Sequence, residues 1–167
     1  MIGMNYEMRR KKQQLSPEEC NDILDRNTAG VLSLLDPNGY PYGVPLSYCR
    51  VEDRLLFHSA LTGHKLDAIQ HEERASFCVI DQDQVVPEQY TTYYRSVIAF
   101  GTVRILEQEE EKRAAIEALA EKYAPNLPEG REQEIRQEYH HFCMIELKME
   151  QITGKEAIEL HKQRNTQ

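Results

Sequence analysis

The run Phe57-His58-Ser59-Ala60-Leu61-Thr62-Gly63-His64-Lys65-Leu66-Asp67-Ala68-Ile69 gathers polar donors where a strand turns into a helix. Leu55 to His58 is apolar and bulky, as a strand requires, while Leu66 and Ile69 lie one helical turn apart. A helix start offers unpaired backbone N–H groups and the positive end of the peptide dipole, so it suits a phosphate. Ser59, Thr62, His64 and Lys65 add hydroxyls, an imidazole and a positive charge at that spot. The chemistry they predict is retention of a phosphate-bearing cofactor.

Two further segments carry unusual chemistry. In Gly39-Tyr40-Pro41-Tyr42-Gly43-Val44-Pro45-Leu46, glycine and proline interrupt a strand and free backbone groups of Val44 and Leu46 to meet something else. A flat heteroaromatic ring would fit there; an edge strand blunted against aggregation would read the same way. In Tyr90-Thr91-Thr92-Tyr93-Tyr94-Arg95-Ser96-Val97, alternation sets Tyr94, Ser96 and Ile98 on one face and Tyr93, Arg95 and Val97 on the other. Arg95 suits either a surface ion pair or bidentate recognition of phosphate or carboxylate.

The remaining candidates point to less. His140-His141 has no third ligand in view, so no metal site is predicted. Asp81 and Asp83 read as loop carboxylates with no assignable partner. Cys20, Cys49, Cys78 and Cys143 form no CxxC pair and sit among apolar residues, as reduced core thiols do; their spacing leaves disulfide pairing open. A net charge of −8 argues against general nucleic-acid affinity. The basic run Arg9-Arg10-Lys11-Lys12 reads as a solvated tail or an arm, with packing on an acidic partner subunit or RNA contact as alternatives. No apolar run nears the ~20 residues that cross a bilayer, and the start lacks a signal-peptide core, so a cytoplasmic protein without membrane contact is expected.

These residues need a frame. Ser16, Pro17 and Glu19 mark a capped helix running to about Asn27, with Leu15 and Cys20 as its hydrophobic staple. Strands are expected at 29–35, 42–51, 54–59, 75–80, 94–105 and 143–149, with Asn38-Gly39 as a hairpin turn. Helices are expected at 63–72, 109–124 and 129–139, and a polar loop at 81–92. No GxGxxG or P-loop spacing is present. The sum is one domain over 1–167, with a basic arm at 1–14 and a polar tail at 159–167. Its class is mainly β with flanking helices, a six-stranded antiparallel barrel.

Taken together, these segments resemble flavoproteins of the pyridoxamine 5′-phosphate oxidase-like split-barrel family, in its nitroimidazole-resistance branch. The matching elements are Met8-Arg9-Arg10-Lys11, the Gly39–Leu46 strand, Phe57-His58-Ser59-Ala60 with Gly63-His64-Lys65, Tyr93-Tyr94-Arg95-Ser96-Val97 with Phe100-Gly101, and Thr153-Gly154-Lys155-Glu156-Ala157. The resemblance implies a homodimer of split barrels binding FMN at the subunit interface. Lys65 and the Ser59–His64 turn, with His58, Ala60 and Thr62, would hold the phosphate end. Val44, Pro45 and Leu46 would run beside the isoalloxazine, and Arg95 and Ser96 would complete the pocket from the partner chain. His64 stands where a catalytic histidine could act on a small electron acceptor such as a nitroheterocycle. The extra arginines and histidines that the family's oxidases carry for pyridoxamine phosphate have no equivalent here. A non-catalytic flavin or heme binder, with His58 or His64 as heme ligand, is the alternative reading.

Overall fold

The computed structural model describes residues 7–164. A complete capping box opens α1 (Pro17–Arg26): Ser16 Oγ accepts from the Glu19 N–H at 3.2 Å, and Glu19 Oε2 accepts from the Ser16 N–H at 2.7 Å. Leu15 and Cys20, on either side of that cap, are both buried. The chain continues through β1 (Ala29–Leu35), β2 (Pro41–Ser47), β3 (Cys49–Val51), β4 (Arg54–Ala60) and α2 (His64–His71). Then come β5 (Arg74–Val86), β6 (Thr91–Ile105), α3 (Glu109–Tyr123), α4 (Pro128–Glu138), β7 (Phe142–Glu156) and α5 (Ile158–Arg164).

All strands join one antiparallel sheet in the order β2-β1-β5-β6-β7-β4-β3. Its two edge strands, β2 and β3, are separated in the chain by Tyr48 alone. The sheet must therefore curl until its edges meet, and covalent connection closes what hydrogen bonds leave open. That geometry is a split barrel, mainly β with flanking helices. Tyr48 anchors the seam: its side chain is fully buried and its hydroxyl donates to the Leu24 carbonyl at 2.6 Å.

Inward-facing residues of β1, β4, β5, β6 and β7, among them Leu32, Phe57, Phe77, Val97 and Leu147, fill the barrel and pack on α1 and α2. A second apolar cluster lies outside the barrel. There α3 covers Cys49, Leu56 and Met144, which explains why β7 is buried on both faces from Met144 to Leu147. Gly101 sits at a bulge in the β6–β7 ladder, where a Cβ would lie 1.8 Å from the Lys148 carbonyl oxygen, so only glycine lets the strands approach.

Four expectations change. Seven strands replace six, because the expected 42–51 strand breaks at Tyr48 as it turns from one sheet edge to the other. The expected loop at 81–92 is a projecting β-hairpin, with β5 paired to β6 as far as Val86↔Thr91 and Tyr90 taking φ 51° at the tip. Beyond Asp81 its polar residues face solvent on both sides, so the sequence lacks the alternation that marks a half-buried strand. β7 runs on to Glu156 rather than ending at 149. Of the expected polar tail, residues 158–164 form α5 with Leu160 buried, and the remainder lies outside the described residues. No helix among the described residues is long and apolar enough to cross a membrane.

Candidate functional site

The strand–helix junction forms as its residue types require. Phe57 points into the core and is fully buried, which sends Ser59 to the same inner face and His58 and Ala60 to the outer one. Gly63 then caps α2 at φ +135°, a left-handed conformation open to glycine, and nothing lies within 4 Å of where its Cβ would stand. The N–H groups of Leu66 and Asp67 bond to the Gly63 carbonyl at 2.9 and 3.2 Å, whereas those of His64 and Lys65 precede the helical ladder. Lys65 Nζ donates to Ser59 Oγ at 2.8 Å and meets no carboxylate among the described residues. Thr62 is exposed beside them. An ammonium, a hydroxyl and free helix-start N–H groups thus share one spot. That donor set can hold a phosphate.

His64 is tied to the neighbouring hairpin. Its Nε2 lies 3.5 Å from Asp36 Oδ2, and its ring meets the Tyr42 ring edge-on at 4.6 Å. Asp36 in turn accepts from the Tyr40 and Asn38 N–H groups at 2.8 and 2.9 Å, bonds that hold its carboxyl below the usual carboxylate range. The β1–β2 turn is thereby locked against the start of α2. Asp36 is the candidate-site residue absent from the sequence reading. Its Asp-Pro-Asn-Gly context explains a turn, and nothing local signals a partner 28 positions away.

Along β2, Tyr42, Val44 and Leu46 pack on the barrel core, while Gly43 and Pro45 face outward. β2 is an edge strand, so both readings of this segment survive: the prolines blunt an edge, and that edge stands next to the helix start. His58 lines a separate apolar cavity of about 570 Å³ between β4 and the α3–α4 pair, with Ile116, Leu119, Tyr123, Leu127 and Ile135.

Arg95 and Ser96 stand elsewhere. Ser59 is opposite Cys143 on β7, and Ser96 is opposite Lys155, twelve positions further along that strand. At ~3.3 Å per residue this is roughly 40 Å of strand, so one chain does not bring the two ends together. Arg95 and Ser96 also face opposite sides. Arg95 contacts Glu156 Oε2 at 3.2 Å and Asp81 Oδ2 at 3.3 Å on the inner side. Asp81, expected to lack a partner, is the bulge residue of β5. It accepts from Arg26 at 2.8 and 2.6 Å and from Asn27 at 2.8 Å.

Burial of Asp81 acts to raise its pKa, but the bonds from Arg26, Asn27 and Arg95 outweigh it and the net shift is downward. Its stabilising contribution is therefore present above the unfolded carboxylate value of ~3.9 and is lost as pH falls through the lower native value. Thermal melts of wild type and Asp81→Asn are expected to differ fully above about pH 4 and to converge in stronger acid. A constant difference down to the lowest pH would remove Asp81 from the acid response.

The four cysteines are free thiols, and burial pushes Cys20 and Cys49 up to about 11. Among the described residues no group of acidic, histidine or cysteine side chains is placed to hold a metal ion.

With this geometry in hand, comparison with known proteins gives a consistent picture. The family model described as pyridoxamine 5′-phosphate oxidase matches residues 16–156. A candidate 5-nitroimidazole antibiotic resistance protein of Bacteroides thetaiotaomicron superposes with a TM-score of 0.70 at 21% identity, covering 85% of each chain. A conserved hypothetical protein of Mycobacterium tuberculosis gives 0.78 at 16% identity, over 95% of this chain and 93% of the other. An FAD and heme binding protein of Mycobacterium smegmatis gives 0.72 at 24% identity, over 88% and 74%. At these identities the likeness establishes fold alone. No curated protein matches the sequence.

Proposed function

The chain belongs to the pyridoxamine 5′-phosphate oxidase family, and from that premise we infer that it is a flavin-binding oxidoreductase holding FMN with its phosphate at the start of α2. The observation that carries this reading is Lys65, its Nζ 2.8 Å from Ser59 Oγ, with no carboxylate partner among the described residues, beside an open helix start. Bound there, the flavin supplies the electron-transfer chemistry. The chain's own residues bind and orient it. Lys65, Ser59 and Thr62 neutralise and bond the phosphate, and the backbone of Val44, Pro45 and Leu46 borders the ring. Asp36 engages Nε2 of His64, which leaves Nδ1 to face the phosphate or a small electron-poor acceptor such as a nitroheterocycle.

The same reading makes the protein a homodimer, since Ser96 reaches a flavin held by Lys65 only from a second copy, whereas Arg95 stays on the inner face paired with Glu156 and Asp81. In support, the outer face of β2-β1-β5-β6-β7 carries the registered row Pro45, Val31, Cys78, Ile98 and Thr153, with Val31 39% and nearby Ile80 65% exposed. An apolar row of this kind suits a subunit contact.

The test is the absorption spectrum of purified protein before and after adding FMN, with mass spectrometry of the released ligand. Flavin bands that co-elute with the protein are expected, as is reoxidation of the reduced protein by a nitroaromatic acceptor. Absence of bound flavin even after adding FMN overturns the reading. A second reading, a heme binder without turnover, is favoured by one observation: His58 lines the apolar cavity under α3 and α4. A Soret band on adding hemin, lost in His58→Ala, would select it.

A further inference from the structure

Three sequence segments left over by the α2 site converge at the other end of the sheet. Leu15 donates its N–H to the Gly154 carbonyl at 3.0 Å and Gln14 bridges to Lys155, which lays the N-terminal arm across β7. Gln13 reaches Tyr94 Oη at 3.3 Å and fixes the arm against β6. The result is a cavity of about 530 Å³ lined by Met8, Arg9, Arg10, Ser96, Ile98, Thr153 and Lys155. Three cationic and two hydroxyl residues line it, the Thr153 hydroxyl also donating to the Ile98 carbonyl at 3.5 Å.

Their charges are not spent elsewhere. Arg9 has no partner among the described residues, and Arg10 makes only a 3.5 Å contact to the Gln13 side-chain oxygen. Lys155 Nζ lies over the Tyr94 ring, 5.3 Å from its centroid, with no carboxylate paired to it among the described residues. The adjacent Lys11 is different, because it pairs with Glu7. Strand alternation produces the contrast with Arg95: on the inner face that guanidinium is neutralised by Glu156 and Asp81, while on the outer face Ser96 and its cross-strand neighbour Lys155 stay open. In a chain of net charge −8, three uncompensated cations around one concavity form a local positive well. Forked guanidinium donors with hydroxyls beside them match an oxyanion.

We propose that Arg9, Arg10 and Lys155, with Ser96 and Thr153, form a second anion site that takes the phosphate or carboxylate group of a small molecule. Within one chain it is separate from the α2 site, since Lys65 lies at the opposite end of β7, and it rests on the proposed flavin site only where the oxyanion belongs to a second copy's flavin. The oxyanion comes either from a free ligand or from a flavin carried by a second copy.

The experiment is calorimetric titration with inorganic pyrophosphate at low salt in Lys65→Ala protein, which silences the α2 site. One binding event per chain is expected, weakened at least about tenfold by adding Lys155→Met and equally by adding Arg9→Gln with Arg10→Gln, and weakening as salt rises. Circular dichroism checks that each variant is folded; the arm pair lies outside the barrel core, so it remains informative if Lys155→Met fails to fold. A parallel FMN titration in chains that retain Lys65 separates the sources. Weaker FMN binding in Lys155→Met means the oxyanion is a flavin's, and unchanged FMN binding means it is a free ligand. No pyrophosphate binding, or binding that both sets of substitutions leave unmoved, overturns the proposal.

Discussion

Lys65→Ala is expected to weaken FMN binding by about 10- to 100-fold while leaving the fold intact. The size follows from the bond lost: a hydrogen bond to a charged group is worth about 1.5–3 kcal/mol, and each 1.4 kcal/mol is a factor of ten. The fold survives because α2 is held by Leu66, Ala68 and Ile69, all buried, whereas among the described residues the Lys65 ammonium bonds only to Ser59 Oγ. Quenching of flavin fluorescence on titration measures the affinity, and a thermal melt without ligand checks the scaffold. Lys65→Arg keeps the charge and is expected to recover part of the loss. Wild-type affinity should fall with added salt, and the alanine variant should respond less steeply. Affinity unchanged in Lys65→Ala would take the lysine out of the site. Loss accompanied by a large drop in melting temperature would assign it a structural role.

Much of that site could be read from the sequence because its parts are local. Ser59, Gly63 and Lys65 lie within one strand-to-helix turn, and the apolar spacing of Leu66 and Ile69 fixes which way the helix faces. The capping box of α1 was legible for the same reason. What stayed hidden depends on contacts between distant positions. Asp36 reads as a turn residue until His64 is seen beside it. Asp81 reads as a loop carboxylate because the 81–92 segment is polar on both sides, yet a bulge turns it inward to meet Arg26, Asn27 and Arg95. Arg95 shows the limit most plainly. Sequence leaves it between ion pair and anion receptor, and the fold commits its charge to carboxylates while Lys155, on the outer face, pairs with no carboxylate among the described residues. Periodicity assigns a residue to a face but cannot say what covers that face.

Glu156 is where commitment of charge matters most for stability. It closes β7 with a fully buried carboxylate whose Oε2 contacts Arg95 at 3.2 Å and whose Oε1 contacts both His161, at 3.6 Å, and Arg164. Arg164 also pairs with Glu19 of the α1 capping box, so one carboxylate links β6, α1 and α5. A buried ion pair adds little over a well-packed apolar replacement, but removing one partner leaves the other charge uncompensated and costs about 3–5 kcal/mol. Arg95 is 21% and Arg164 40% exposed at the side chain, so water shields part of the loss. Glu156→Gln is therefore expected to cost about 3 kcal/mol, at the lower end of that range, read as a lower urea midpoint with an unchanged slope. Asp81 keeps Arg95 from being fully orphaned, so adding Asp81→Asn should cost more than the sum of the two single changes. Additive losses would mean that Glu156 and Asp81 act on separate elements. A stability loss under about 1 kcal/mol would place the stability of this end of the barrel in the packing of Val97, Ala157 and Leu160.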